Sequence, residues 1–215
     1  ITTNPAFDQY GVKVLSRPSY APGDTAETAD YQLGPWMVVF ENALTDEEAD
    51  IFIELGSKVG FTKSVTNTGA KEKDGTITAI GDTRRTSTTA WCQFECAEDP
   101  TVLRVMNRIE TITGIAETNY EAIQILKYEK DQFYRVHNDY NGLQKARPPG
   151  VRILTFYFYL SDVDEGGGTH FPKLNLTVAP KKGRAVLWPS VLNDDPNSLE
   201  SRTNREAWAV GRGVK

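Results

Sequence analysis

The chain has 215 residues, 39% hydrophobic and 25% charged, with a net charge of −5, which suits one ordinary globular domain with a sizeable core. The acidic balance gives no basic footprint for nucleic acid, and no apolar run approaches the ~20 residues that cross a bilayer. The chain starts at Ile1, as a trimmed chain would, so compartment is not read from its beginning; the secretory pathway or endoplasmic reticulum and the cytoplasm both fit.

Residues 1–35 mix Pro5, Pro18, Pro22 and Gly23 with polar residues, which predicts an extended arm lying on the domain formed by residues 36–215. Trp36-Met-Val-Val-Phe40 reads as a short strand. Thr45-Asp-Glu-Glu48 is a capping box that opens a helix over 46–58, with Ala49, Phe52, Ile53 and Gly56 on one face. Residues 62–83, rich in Thr, Lys, Gly and Asp, read as a long loop or hairpin of the kind that forms lids. A hydroxyl-rich strand follows from residue 84 to 91. Cys92 and Cys96 are the two cysteines, and a local disulfide and a pair of free thiols fit equally.

Asp99-Pro100 starts a second helix over 100–113, striped by Val102, Val105, Met106, Ile109 and Ile112 and ended by Gly114. From residue 121 the period turns to that of strands, at 122–129 and 133–137. Residues 151–160 are apolar on both faces, which predicts a central, doubly buried strand. Further strands are expected near 168–171, 174–179, 184–189 and 206–210. Asn175-Leu176-Thr177 matches a glycosylation tripeptide but falls within a predicted strand, which argues against its use. Two helices followed by many short strands predict an α+β, mainly β fold: a double-stranded β-helix, the cupin-like jelly-roll, with the helices packed on the outer face of its larger sheet.

One tripeptide carries the chemistry. In His137-Asn138-Asp139 the imidazole and the carboxylate are two residues apart on an extended segment, so they point to the same side. With one more histidine they would form the facial triad of non-haem Fe(II) sites. His137 and Asp139 are therefore the candidate metal ligands.

Several separate motifs give that tripeptide a context. Tyr128 stands nine residues and Tyr134 three residues before His137. Arg152-Ile153-Leu154-Thr155 opens the apolar run. Glu165-Gly-Gly-Gly-Thr169-His-Phe171-Pro172, Pro180-Lys-Lys-Gly183-Arg-Ala-Val-Leu-Trp188 and Gly213-Val214-Lys215 follow in order, and Arg84-Arg85-Thr86-Ser87 lies upstream. In this set and order the chain resembles the catalytic domain of the prolyl 4-hydroxylases, from about residue 36 onward. The resemblance implies a peptidyl-proline 4-dioxygenase that uses Fe(II), 2-oxoglutarate and O2, with L-ascorbate as reductant and a proline-containing peptide as partner. It implies that Lys215, Tyr128 and Thr169 hold 2-oxoglutarate. Tyr134 and Arg152 would act at the substrate proline, and Arg85 and Ser87 would flank the peptide groove. It also implies that Tyr134 and His137, at odd spacing, share a face only if the strand bends between them.

The chain departs from this pattern at one position. The family's distal histidine stands ten residues before the pocket lysine, and here that residue is Arg205. A guanidinium has no lone pair to offer a metal and repels it. The other histidine, His170, is expected to face away, because its neighbour Thr169 faces the pocket. Two functions therefore compete: a prolyl 4-hydroxylase-like dioxygenase impaired by Arg205, and a non-catalytic binding module for proline-rich peptides.

Overall fold

A computed structural model describes residues 4–18, 32–65, 84–146 and 150–212. The first helix, α1 (Asp46–Val59), starts on the expected cap: the Glu48 amide donates to Thr45 Oγ1 at 3.1 Å and the Thr45 amide donates to Glu48 Oε2 at 3.0 Å. The second, α2 (Pro100–Thr113), starts at Asp99, whose side chain accepts from the Thr101 amide, and ends at Gly114 in the left-handed region. Thr45→Ala removes one of the two reciprocal bonds at the start of α1 and is expected to destabilise the protein by about 1 kcal/mol. Urea unfolding should then show a lower midpoint with an unchanged slope.

Among the described residues the strands form four sheets. The largest has the order β2-β1-β3-β12-β8, from β1 (Val12–Arg17), β2 (Gln32–Leu33), β3 (Met37–Phe40), β8 (Leu154–Phe158) and β12 (Ala185–Pro189). The second, β11-β10-β13-β7, is built from β7 (Tyr134–His137), β10 (Thr169–Phe171), β11 (Leu176–Val178) and β13 (Arg205–Ala207). A third joins β4 (Thr62–Lys63), β5 (Thr88–Cys92) and β6 (Ile123–Lys127), and a two-stranded pair joins β9 (Glu165–Gly166) to β14 (Val210–Arg212). This is the mainly β jelly-roll expected from the sequence. Its inner side chains, including Met37, Val39, Tyr159, Phe171, Val186 and Trp188, pack between the two larger sheets.

Four expectations change. The segment read as an arm contributes β1, which pairs antiparallel with β3, and Phe7 joins the core beside Val38 and Phe40. The helices pack chiefly on the three-stranded sheet, where Phe52 and Leu55 of α1 and Val102 and Val105 of α2 meet Ala90 and Ile125, while Phe158 of β8 borders this cluster and Ile112 of α2 joins the core of the largest sheet. The apolar run at 151–160 was expected to be a central strand, yet β8 is an edge strand and half-buried. Phe156 stacks on Phe40 on one face, Tyr157 lies against Trp188 on the other, and the outer edge opens on a cavity. Asn175 stands on an exposed turn with φ +49° just before β11, outside the strand.

Cys92 and Cys96 form a disulfide at the end of β5. Most of the predicted 62–83 loop, residues 66–83, lies outside the described residues, as does Lys215.

Candidate functional site

β7 presents Tyr134 and His137 together, and an irregularity in its pairing explains how. Arg205 of β13 pairs with His137 and Ala207 pairs with Tyr134, so two residue steps on β13 span three on β7. The extra residue is a bulge that bends β7 and rotates Tyr134 onto the face of His137. The two rings stack with centroids 3.4 Å apart. Arg85, bridged to Tyr134 through the backbone, holds its guanidinium 4.8 Å from the centroid of the Tyr134 ring. Its Nε donates to Ser87 Oγ at 3.2 Å, and Ser87 in turn bonds Ser64.

Most of the expected site residues line one cavity of about 550 Å3: Arg85, Tyr128, Tyr134, His137, Asp139, Arg152 and Thr169, with Arg205 beside them. That volume is ordinary for a small-molecule or peptide-anchor site. Tyr128 and Thr169 are buried in its wall. Burial raises the Tyr128 phenol, partly offset by the Arg85 charge. The Thr169 hydroxyl accepts from Tyr159 at 2.7 Å. His170 faces away, with Nδ1 2.9 Å from Thr177 Oγ1 and its ring against Trp208.

The centre of the site is an ion pair. Arg205 Nη2 donates to Asp139 Oδ1 at 2.6 Å, and Thr155 Oγ1 donates to the other oxygen, Oδ2, at 2.5 Å. The Arg205 guanidinium lies 4.6 Å from the centroid of the buried Trp188 ring. Burial alone would raise the Asp139 carboxyl, but the Arg205 charge and hydrogen bond, with the Thr155 hydroxyl, hold it well below the usual carboxylate range. Burial and then the Arg205 charge push His137 well below the usual imidazole value, so it is neutral at pH 7. His137 Nδ1 lies 2.8 Å from Arg135 O and donates to that carbonyl, which leaves the lone pair on Nε2.

These residues do not fit a three-ligand metal centre. Both Asp139 oxygens are engaged, one of them by the cation of Arg205, and no cluster of three or more His, Cys, Asp or Glu side chains is placed to hold a metal among the described residues. A divalent ion would have to displace the guanidinium from Asp139.

Arg152 also differs from expectation. Expected to act at the substrate proline, it lines the cavity while forming a bidentate pair with Glu121, Nε to Oε1 at 2.9 Å and Nη2 to Oε2 at 2.6 Å. Sequence reasoning missed Glu121, and it gave Thr155 no role beyond its place in the Arg152–Thr155 stretch. No spacing pattern marks Glu121; the signal for it was that an arginine at a strand start needs acceptors.

The fold and the His137-Asn138-Asp139 segment define a protein of the Fe(II)/2-oxoglutarate oxygenase class, and the profile of the 2OG-Fe(II) oxygenase superfamily matches residues 123–205. The chain is 31% identical over 186 residues to prolyl 4-hydroxylase subunit alpha-2 of Caenorhabditis elegans, covering 84% of this chain and 33% of that protein. It is 35% identical over 188 residues to the probable prolyl 4-hydroxylase 8 of Arabidopsis thaliana, covering 77% and 62%. The viral collagen prolyl hydroxylase of Paramecium Bursaria Chlorella virus-1, solved as a 2OG complex, superposes with a TM-score of 0.63 at 22% identity, covering 83% of this chain and 91% of that one, and so shares the fold. The chain belongs to the prolyl 4-hydroxylase family. It spans about a third of the length of the animal subunits it matches. Membership implies Fe(II) and 2-oxoglutarate as the family's metal and co-substrate.

Proposed function

We propose that this chain acts on proline-containing peptides as a member of the peptidyl-proline 4-dioxygenase class, with Fe(II), 2-oxoglutarate and L-ascorbate as the reaction's requirements and Arg205 holding activity low. The observation that carries this reading is the convergence of Arg85, Tyr128, Tyr134, His137, Asp139, Arg152 and Thr169 on one cavity, although they come from separate strands and loops. Tyr134, held by contacts with the Arg85 guanidinium and the His137 ring, is a rigid aromatic part of the cavity wall, of the kind that proline-rich segments pack against. Arg85, buried beside it, supplies donors for a peptide carbonyl. Lys215 completes the 2-oxoglutarate site in this reading.

A second reading has its own observation in favour. The Arg205–Asp139 pair satisfies the carboxylate that a metal would need, so the groove would hold proline-rich peptides without turnover. Succinate release from 2-oxoglutarate, measured with and without a proline-rich peptide and alongside fluorescence polarisation of that peptide, separates the two. Slow, peptide-dependent succinate release is the result expected of an impaired dioxygenase. Saturable peptide binding with no succinate identifies the binding module, and neither signal would overturn both. For compartment, the Cys92–Cys96 disulfide and the exposed Asn175 of its glycosylation tripeptide support an oxidising, secretory location.

A further inference from the structure

We propose that the cavity binds a small carboxylate anion directly on Arg205, without a metal ion. The first observation is an unsatisfied donor. Arg205 gives Nη2 to Asp139, but its Nη1 is buried and has no acceptor among the described residues. The indole Nε1 of Trp188, against whose ring this guanidinium lies, is likewise a buried donor with no acceptor. Buried donors are nearly always satisfied, and a charged one has the strongest requirement.

The second observation is charge. Arg85 is 7% exposed and makes no ion pair with a carboxylate among the described residues; it bonds neutral hydroxyls, Ser87 and Tyr128, and lies over Tyr134. Arg85 holds its guanidinium 4.8 Å from the Tyr134 ring centroid, and Arg205 lines the same cavity. Against them stands Asp139 alone. Glu121 is committed to Arg152, and Glu206, which alternates with Arg205 along β13 and pairs with the outward-facing His170, is turned to the other face, where it accepts from Trp208 Nε1 at 3.0 Å. An excess positive charge in a part-buried cavity is offset by an anion, and a planar guanidinium matches a carboxylate geometrically. Arg205 therefore substitutes for a metal twice: it neutralises Asp139 and it presents a positive donor to a ligand oxygen.

This inference goes beyond peptide turnover and holds under either reading of the function. The test uses the full chain in excess EDTA, with 2-oxoglutarate and succinate as probes, followed by calorimetry and thermal melting. Both probes should bind, raising Tm by about 3–5 °C at 10 mM if Kd is near 1 mM. The affinity should be unchanged by added Mn(II). Arg205→Gln should weaken binding at least tenfold, and Arg205→Lys, which keeps the charge but loses the fork, should fall between. No binding in EDTA, binding that returns only with Mn(II), or an undiminished affinity in Arg205→Gln would each overturn the proposal. If Arg205→Gln does not fold, the Lys variant and Arg85→Gln carry the test: weakening in either supports it, and full affinity in both overturns it. Peptide polarisation on the same samples keeps failure here distinct from failure of the proposed function.

Discussion

An Arg205→His variant is expected to bind Mn(II) or Fe(II) at least ~100-fold more tightly than the natural chain, about 3 kcal/mol. Two effects act in the same direction. Removing the guanidinium eliminates a unit charge within several ångströms of the metal position, worth several kcal/mol against a divalent ion at an effective dielectric of ~20. The new imidazole stands on β13 opposite His137, where the backbone register pairs the two positions, and adds the missing lone pair. The variant without metal should melt lower than the natural chain, because Asp139 loses its partner, and added metal should restore it. Equilibrium dialysis and melting with and without Mn(II) read this directly. Peptide-dependent succinate release should rise with affinity. His170→Ala should change neither quantity, since that ring points at Thr177 on the far side of the sheet. No gain in metal affinity from Arg205→His would refute position 205 as the lost ligand.

The second large effect is on stability and comes from a residue outside the cavity lining. Glu48→Gln should destabilise the protein by about 3 kcal/mol and lower Tm by roughly 6–12 °C. Glu48 is 5% exposed and accepts two bonds from Arg108, at 2.7 and 2.8 Å, a third from Arg104 at 3.2 Å and a fourth from the Thr45 amide. Arg108 also donates to Ala43 O at 2.7 Å, so one carboxylate ties the start of α1 to α2 and to the loop before it. Burial alone would raise this carboxyl, but the Arg108 hydrogen bonds, the Thr45 amide and the Arg108 charge outweigh it and lower its pKa from 4.5 to about 2. A depression of that size is worth about 3 kcal/mol, consistent with the loss expected from breaking a buried pair. Because the folded value is the lower one, this stabilisation is fully present above pH 4.5 and is lost as pH falls toward 2. The natural chain should therefore lose stability across that window, while the Gln variant starts lower and changes less. Parallel acid titrations of the two proteins in urea measure the difference, and identical profiles would exclude Glu48 as its source.

Both helices were legible in the sequence to within one residue at their ends. Thr45 with Glu48, and Asp99-Pro100 with Gly114, act on amides and carbonyls a few residues away, so the information is local. The jelly-roll class and the family were also legible, because His137, Asp139, Tyr128, Thr169 and the glycine-rich stretches keep a fixed order along the chain. So was the anomaly at position 205, since a side chain without a lone pair cannot be a metal ligand in any fold. The sequence also stated a condition, that Tyr134 and His137 share a face only on a bent strand, without showing how it is met.

Tertiary structure decided the rest, because each remaining feature depends on which distant residues meet. The bulge in β7 arises from its pairing with β13. β8 became an edge strand because sheet order is set by long-range partners, whereas its apolar sequence reads the same at an edge or a centre. Arg152 found Glu121 across 31 residues, and Arg205 found Asp139 across 66. The last pairing matters most: the resemblance implies a ligand where the sequence has Arg205, but only the fold shows that this cation is bonded to the Asp139 carboxylate, since that depends on a side chain just past β7 meeting one on β13.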